Sequence, residues 1–360
     1  MQTTNFKNII SLNKDSIKKR GRICQMKRSG FTAWLWLVIF ILVLGIGHPV
    51  LSGQDIKSPV QLDFGPRLYL YNFYGIIALG ENKVCAVGNS GTIIISEDGG
   101  KNWQIQKSGV DTELFDVRFS DSQKGWAVGR EGTILRTDDG GKSWYSLKSP
   151  LETTLLSLSV VDENNIWAVG EWGTILHSAD GKTWEIQNEK VDKIYQKVFF
   201  TDSMHGWIAG EFGVILHTED GGTNWKPQIN PLENVTLFSI FFKDTQTGWI
   251  TGMDGHILST DNGGAKWTEL KSPTTKTMFD INVIGNTGWA FGLEGTYILS
   301  KDGGITWDQG RMPNFSWLTS STFSKDGKCW VAGGNGTIWF TEDGQNWQSP
   351  LKLSLLSSRK

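Results

Sequence analysis

The chain has 360 residues, with 18 Trp and 43 Gly but only 9 Pro, a balance that suits many short strands joined by tight turns. The net charge is −2, yet residues 1–53 hold eight Lys/Arg against one acid, Asp15, so the remainder carries 27 basic and 36 acidic residues, a net of −9. An acidic globular part repels phosphate backbones, which excludes nucleic acid as an expected partner.

The first recognisable element is Phe31 to Gly47, 17 residues without a charge, preceded by Lys27 and Arg28. A basic flank before an apolar run is the pattern of an export signal. Met26 offers an alternative start, and the small residues Ser52 and Gly53 mark a candidate cleavage point. A run of 17 residues is also just long enough to span a bilayer as a retained anchor. Both outcomes place the chain after residue 53 outside the cytoplasm (periplasmic, lumenal or extracellular), because the positive flank stays inside. Residues 54–71 follow as a linker, and the strand-like stretch 60–72 is a candidate latch for a sheet edge.

From residue 72 to about 352 the chain repeats itself, and a short tail, 353–360, ends it. A Gly-x-x-Gly pair recurs at 88/91, 129/132, 170/173, 210/213, 252/255, 292/295 and 333/336, at intervals of 40 to 42 residues. Three positions before the first glycine stands Trp126, Trp167, Trp207, Trp249, Trp289 or Trp330, with Cys85 in the first unit. Apolar runs precede and follow each pair, and strand-like stretches such as 114–119, 198–200, 237–242 and 279–283 open the units. Four short strands per unit, repeated seven times, predict an all-β fold: a seven-bladed β-propeller of four-stranded antiparallel blades. One blade cannot bury both faces alone, so the regular tryptophans are read as wedges between neighbouring blades.

Each unit also carries a Ser/Thr-x-Asp (or Asn) turn with glycine, followed by Trp, the Asp-box, one residue shorter in the third and seventh units. Its side chains are Asp98, Asp139, Asp180, Asp220, Asn262, Asp302 and Asp343. A short carboxylate in a tight turn accepts bonds from nearby backbone N–H groups, and Asn262 can do the same through its amide oxygen. These residues are therefore expected to be structural. Cys85 and Cys329 fall in the first and last units, where two separately buried thiols or a bridge across the ring seam are the alternatives; Cys24 precedes the export segment. No CxxC, His/Cys cluster, phosphate loop or hydride-cofactor fingerprint is present, so no metal, no cofactor and no catalytic residue is expected.

Seven such units behind an export segment resemble the photosystem II stability/assembly factor family of cyanobacteria and plastids, whose relatives also occur in bacteria without photosynthesis. The resemblance spans about residues 72–350 and implies a lumenal or periplasmic propeller that binds a membrane-protein precursor and assists its assembly. Family members acting on photosystem II are known for an arginine-rich patch. Here Arg67, Arg118, Arg130, Arg136, Arg311 and Arg359 are scattered, so the fold is expected to carry over and the basic patch is not.

In a propeller the turns between second and third strands share one face with the blade-to-blade connections. The residues between each glycine pair are then displayed together: Asn89-Ser90, Arg130-Glu131, Glu171-Trp172, Glu211-Phe212, Met253-Asp254, Leu293-Glu294 and Gly334-Asn335. They vary while their flanks do not, which suggests a face open to recognition. Arg130, Glu131, Glu171, Trp172, Glu211, Phe212, Asp254 and Glu294 are the candidate partner-binding residues, an acidic, aromatic-studded rim for a basic or mixed peptide segment of a membrane protein. Two other readings stay open. One is an Asp-box glycoside hydrolase of sialidase or xyloglucanase type, for which Asp116 and Asp280 are non-repeating carboxylates on innermost strands. The other is a scaffold in the cell envelope.

Overall fold

The computed structural model describes residues 71–324, 327–344 and 346–349. The export segment, Cys24 and the latch stretch up to residue 70 lie outside the described residues.

Seven antiparallel sheets follow one another, each with its strands in chain order. Their innermost strands are Phe73–Ala78, Leu114–Phe119, Leu155–Asp162, Tyr195–Phe200, Leu237–Phe242, Met278–Ile284 and Leu318–Phe323, which open blades 1 to 7. Among the described residues blades 1 to 6 have four strands and blade 7 three, with a single bridge between Phe340 and Gln348 at its outer edge. The second strands, such as Gly125–Gly129 and Gly206–Gly210, are buried at every position because a blade is covered on both faces there.

The wedge tryptophans do more than fill space. Trp126, Trp167, Trp207 and Trp330 are fully buried. Each packs into the core of the following blade, Trp207 for example against Leu237, Ile240, Phe242 and Ile250. Each indole N–H then donates to a glycine carbonyl in the next blade's Asp-box turn: Trp126 to Gly181 (2.7 Å), Trp167 to Gly221 (3.2 Å), Trp207 to Gly263 (3.0 Å) and Trp249 to Gly304 (3.0 Å). Trp330 of blade 7 makes the same bond to Gly99 of blade 1, at 3.1 Å. The ring therefore closes by the same contact that joins its interior blades. At the innermost level the closure adds Thr322 Oγ1 accepting from Ala78 N and Thr319 Oγ1 donating to the Phe73 carbonyl.

The Asp-box side chains hold their own turns. Asp98 Oδ1 accepts from Asn102 N at 2.8 Å, Asp220 Oδ1 from Asn224 N at 2.8 Å, and Asn262 Oδ1 from Lys266 N at 2.9 Å. The Thr306 hydroxyl and its backbone N–H hold the Asp302 carboxyl down to about 2. The cysteines are both buried and unbridged. Cys85 faces the core shared with blade 2 and Cys329 the core shared with blade 6, so blades 1 and 7 stand between them.

His177 lies tilted against Trp167 at 4.8 Å, and His217 stacks on Trp207 at 4.6 Å. Burial pushes both imidazoles below the ordinary value, and their Nε2 atoms have no hydrogen-bond partner among the described residues. An unfolded imidazole takes up its proton near pH 6.5 while these resist it. Their contribution to stability is thus complete above about pH 6.5 and lost as pH falls through their lower folded values. Urea midpoints measured from pH 7.5 to 5 should fall for the wild type and fall less for His177→Phe/His217→Phe; equal slopes would remove the two histidines as the cause.

Candidate functional site

Two faces differ in what they display. On one, each Asp-box turn meets the turn between first and second strands, as in Gly140 N donating to the Gln123 carbonyl at 2.8 Å. On the other, each Gly-x-x-Gly turn meets a blade-to-blade connection: Gly173 N donates to Lys193 O (2.6 Å), Gly213 N to Val235 O (2.7 Å) and Gly295 N to Ser316 O (2.6 Å). The sequence-predicted rim residues therefore do share one face with the connections.

Their backbone is more constrained than the variable side chains suggest. The second residue of every pair (Ser90, Glu131, Trp172, Phe212, Asp254, Glu294 and Asn335) has φ between +52° and +57°. Left-handed backbone suits Asn, Asp and Gly, and a bulky aromatic residue there is an outlier costing roughly 1–2 kcal/mol. Trp172 and Phe212 hold this conformation in adjacent blades, and are 45% and 40% exposed. Strain retained at an exposed apolar tip is a pointer to function.

The connections add to them. The 3-to-4 connection puts Lys190 Nζ 4.3 Å from the Trp172 ring and Lys193 Nζ 4.6 Å from the Phe212 ring. Val191 N donates to the Trp172 carbonyl, and the Val191 side chain is itself exposed. Beyond Phe212, Ile229 of the 4-to-5 connection is 90% exposed, held at the turn by Asn230 Nδ2 donating to Gly213 O. Trp172, Val191, Phe212 and Ile229 thus display exposed apolar side chains on this face of blades 3 and 4, with a lysine over each ring.

The other predicted rim residues divide. Glu131 and Asp254 are exposed and Glu171 half-buried, whereas Glu211 is buried. Arg130 pairs with Glu113 at 3.3 Å. Glu294 is matched by Lys276 at 2.7 Å and Arg311 at 3.5 Å, and the Lys276 hydrogen bond holds its carboxyl below the usual range. The rim is consequently mixed in charge rather than acidic throughout. Val191, Ile229, Lys190 and Lys193 went unread because the connections are where the repeat stops aligning; their signal was apolar residues in segments otherwise rich in Asn, Pro and charge.

The two carboxylates considered for glycoside cleavage are buried staples between blades. Asp116 accepts from Val117 N (2.9 Å), Leu158 N (3.0 Å) and Ser157 Oγ (3.3 Å). Burial by itself raises its carboxyl, but Arg118, Lys197 and the two backbone donors bring it below the ordinary value. Asp280 accepts from Ser321 N (2.7 Å), Ser321 Oγ (2.6 Å), Asn282 Nδ2 (3.2 Å) and Ser239 Oγ (3.3 Å).

Seven blades closed by wedge tryptophans and pinned Asp-box turns define an Asp-box (BNR) propeller. The family described as photosynthesis system II assembly factor YCF48 matches residues 63–137, 107–190 and 182–273, and the chain belongs to that family. Among solved structures it is similar to "YCF48 bound to D1 peptide", with 22% identity and a TM-score of 0.64 over 82% of this chain and 99% of that one. It is also similar to YCF48 from Cyanidioschyzon merolae (19% identity, TM-score 0.65, 76% and 97% of the two chains). The WD40 propeller domain of Doa1 shares the architecture at 14% identity and a TM-score of 0.64, over 80% and 99%. At such identities the likeness carries the fold alone. No curated protein matches the chain.

Proposed function

We propose that this protein is a non-catalytic binding propeller that acts outside the cytoplasm, holding an extended segment of a membrane protein on its rim while that protein is assembled. The observation that carries the reading is the pair Trp172 and Phe212, strained, exposed and adjacent, with Val191 and Ile229 beside them. A relative solved with a D1 peptide supports a peptide as the kind of ligand. The basic flank before Phe31 supports an exported or membrane-anchored placement. The mixed charge of the rim suits a segment with apolar anchors and both signs of charge. The inter-blade roles of Asp116 and Asp280 leave the glycosidase reading without support from geometry.

A photo-crosslinking residue at position 229, introduced in the native host, should give adducts with immature membrane proteins. Trp172→Asn/Phe212→Asn should cut their yield at least tenfold while changing stability by no more than about 1 kcal/mol, since Asn tolerates left-handed backbone. Adducts unchanged by the double variant would overturn the rim as the binding face.

A further inference from the structure

The innermost strands enclose a cavity of about 300 Å³ whose lining includes Arg118, Lys197, Phe199, Phe241, Asn282 and Ser321. That is the lower end of the roughly 300–1,000 Å³ range of small-molecule sites. Arg118 comes from the first strand of blade 2 and Lys197 from that of blade 4, so the two cations converge from either side of blade 3. Their side chains are only 22% and 17% exposed.

Neither cation has a close hydrogen bond to the protein among the described residues. Among the described residues each has one partner, Asp116, at 3.3 Å from Arg118 Nη2 and 3.6 Å from Lys197 Nζ. Charge-assisted hydrogen bonds run about 2.7–2.9 Å, so these are ion pairs without close hydrogen bonds. Asp116 is also engaged elsewhere, its oxygens accepting from Val117 N, Leu158 N and Ser157 Oγ. Asp280, on another wall, is engaged by Ser321, Asn282 and Ser239. Two largely buried cations thus share one carboxylate and line the cavity without a close protein hydrogen bond among the described residues. Beside them Phe199 and Phe241 pack edge to face at 5.2 Å and supply an apolar wall.

We propose that this cavity binds a carboxylate-bearing group of residue size, its carboxylate on Arg118 and Lys197 and its apolar body against Phe199 and Phe241. The site is separate from the rim patch and does not rest on the rim reading. The same chemistry is presented by a free organic acid and by the C-terminal end of a chain.

Calorimetric titration of the whole protein with benzoate and with Ala-Ala-Phe should reveal binding of one or both, weakened at least tenfold in Arg118→Gln and in Lys197→Gln and unchanged in Trp172→Asn. Benzoate alone would identify a free acid, the tripeptide alone a chain end, and both a site open to either. Equal binding of the C-terminal amide of Ala-Ala-Phe, affinity unchanged in both cavity variants, or no binding of either acid would each overturn the proposal. If the variants fail to fold, crystals of the wild type soaked in 4-iodobenzoate decide it: iodine in the cavity supports the site, and iodine elsewhere or nowhere sinks it.

Discussion

Replacing Trp330 by alanine is expected to destabilise the whole ring by roughly 3–5 kcal/mol, the range for deleting a buried Trp or Phe side chain. The residue is fully buried and stands in one cluster with Phe73, Ile76, Val84, Ala86 and Trp103 of blade 1. Its loss would leave a void at the seam and strip the Gly99 carbonyl of its indole donor. Interior wedges such as Trp207 have the same geometry, but their blades are also joined through the chain itself. Blades 1 and 7 are tied only by side-chain packing and a few hydrogen bonds among the described residues, so the seam has no covalent substitute. Trp330→Phe separates the two components: it keeps most of the packing and loses the hydrogen bond, and should cost about 1–3 kcal/mol. Guanidinium unfolding followed by tryptophan fluorescence measures both. A loss under about 1.5 kcal/mol for Trp330→Ala would show that closure lies elsewhere, with the segment before residue 71 the first place to look.

The architecture was readable in the sequence because the physics that builds it repeats every 40 to 42 residues. A wedge and a pinned turn must recur wherever a blade recurs, so Trp207 and Asp220 announce themselves by period. The bond between wedge and turn escaped that reading, since it runs from one blade to the next over 54 to 56 residues. It was nonetheless implicit, because two motifs with a common period keep a constant offset. The cavity was less legible. Innermost strands line a shared channel as well as the cores between blades, so Arg118 and Lys197, which reach the channel, follow no repeat. The rim was legible by position and misread by constraint. Ser90, Glu131, Trp172, Phe212, Asp254, Glu294 and Asn335 vary as side chains but adopt one backbone conformation. A left-handed site filled mostly by Ser, Asp, Asn and Glu looks ordinary, and only an aromatic residue there exposes the strain.

That strain sets up the second large effect, at Gly213, one residue beyond Phe212. Gly213→Ala is expected to cost roughly 2–5 kcal/mol, combining left-handed backbone with overpacking. Gly213 has φ +70°, and an alanine Cβ there would run into the backbone carbonyl oxygen of Leu232. That carbonyl belongs to the 4-to-5 connection, to which Gly213 N also donates through Val235 O at 2.7 Å. The connection must therefore be pushed off the turn, and the alternative is to break the hydrogen bond that seats it. Phe212→Gly tests the same turn from the opposite direction. It removes an L side chain from φ +57°, so the relieved strain offsets the greater freedom of glycine in the unfolded chain and stability stays level or rises by up to about 1 kcal/mol. Opposite signs at neighbouring positions distinguish a residue the fold requires from one it merely tolerates. If Phe212→Gly proved as damaging as Gly213→Ala, Phe212 would be a packing residue, and the apolar face it shares with Trp172, Val191 and Ile229 would lose its claim to be held in place for a partner.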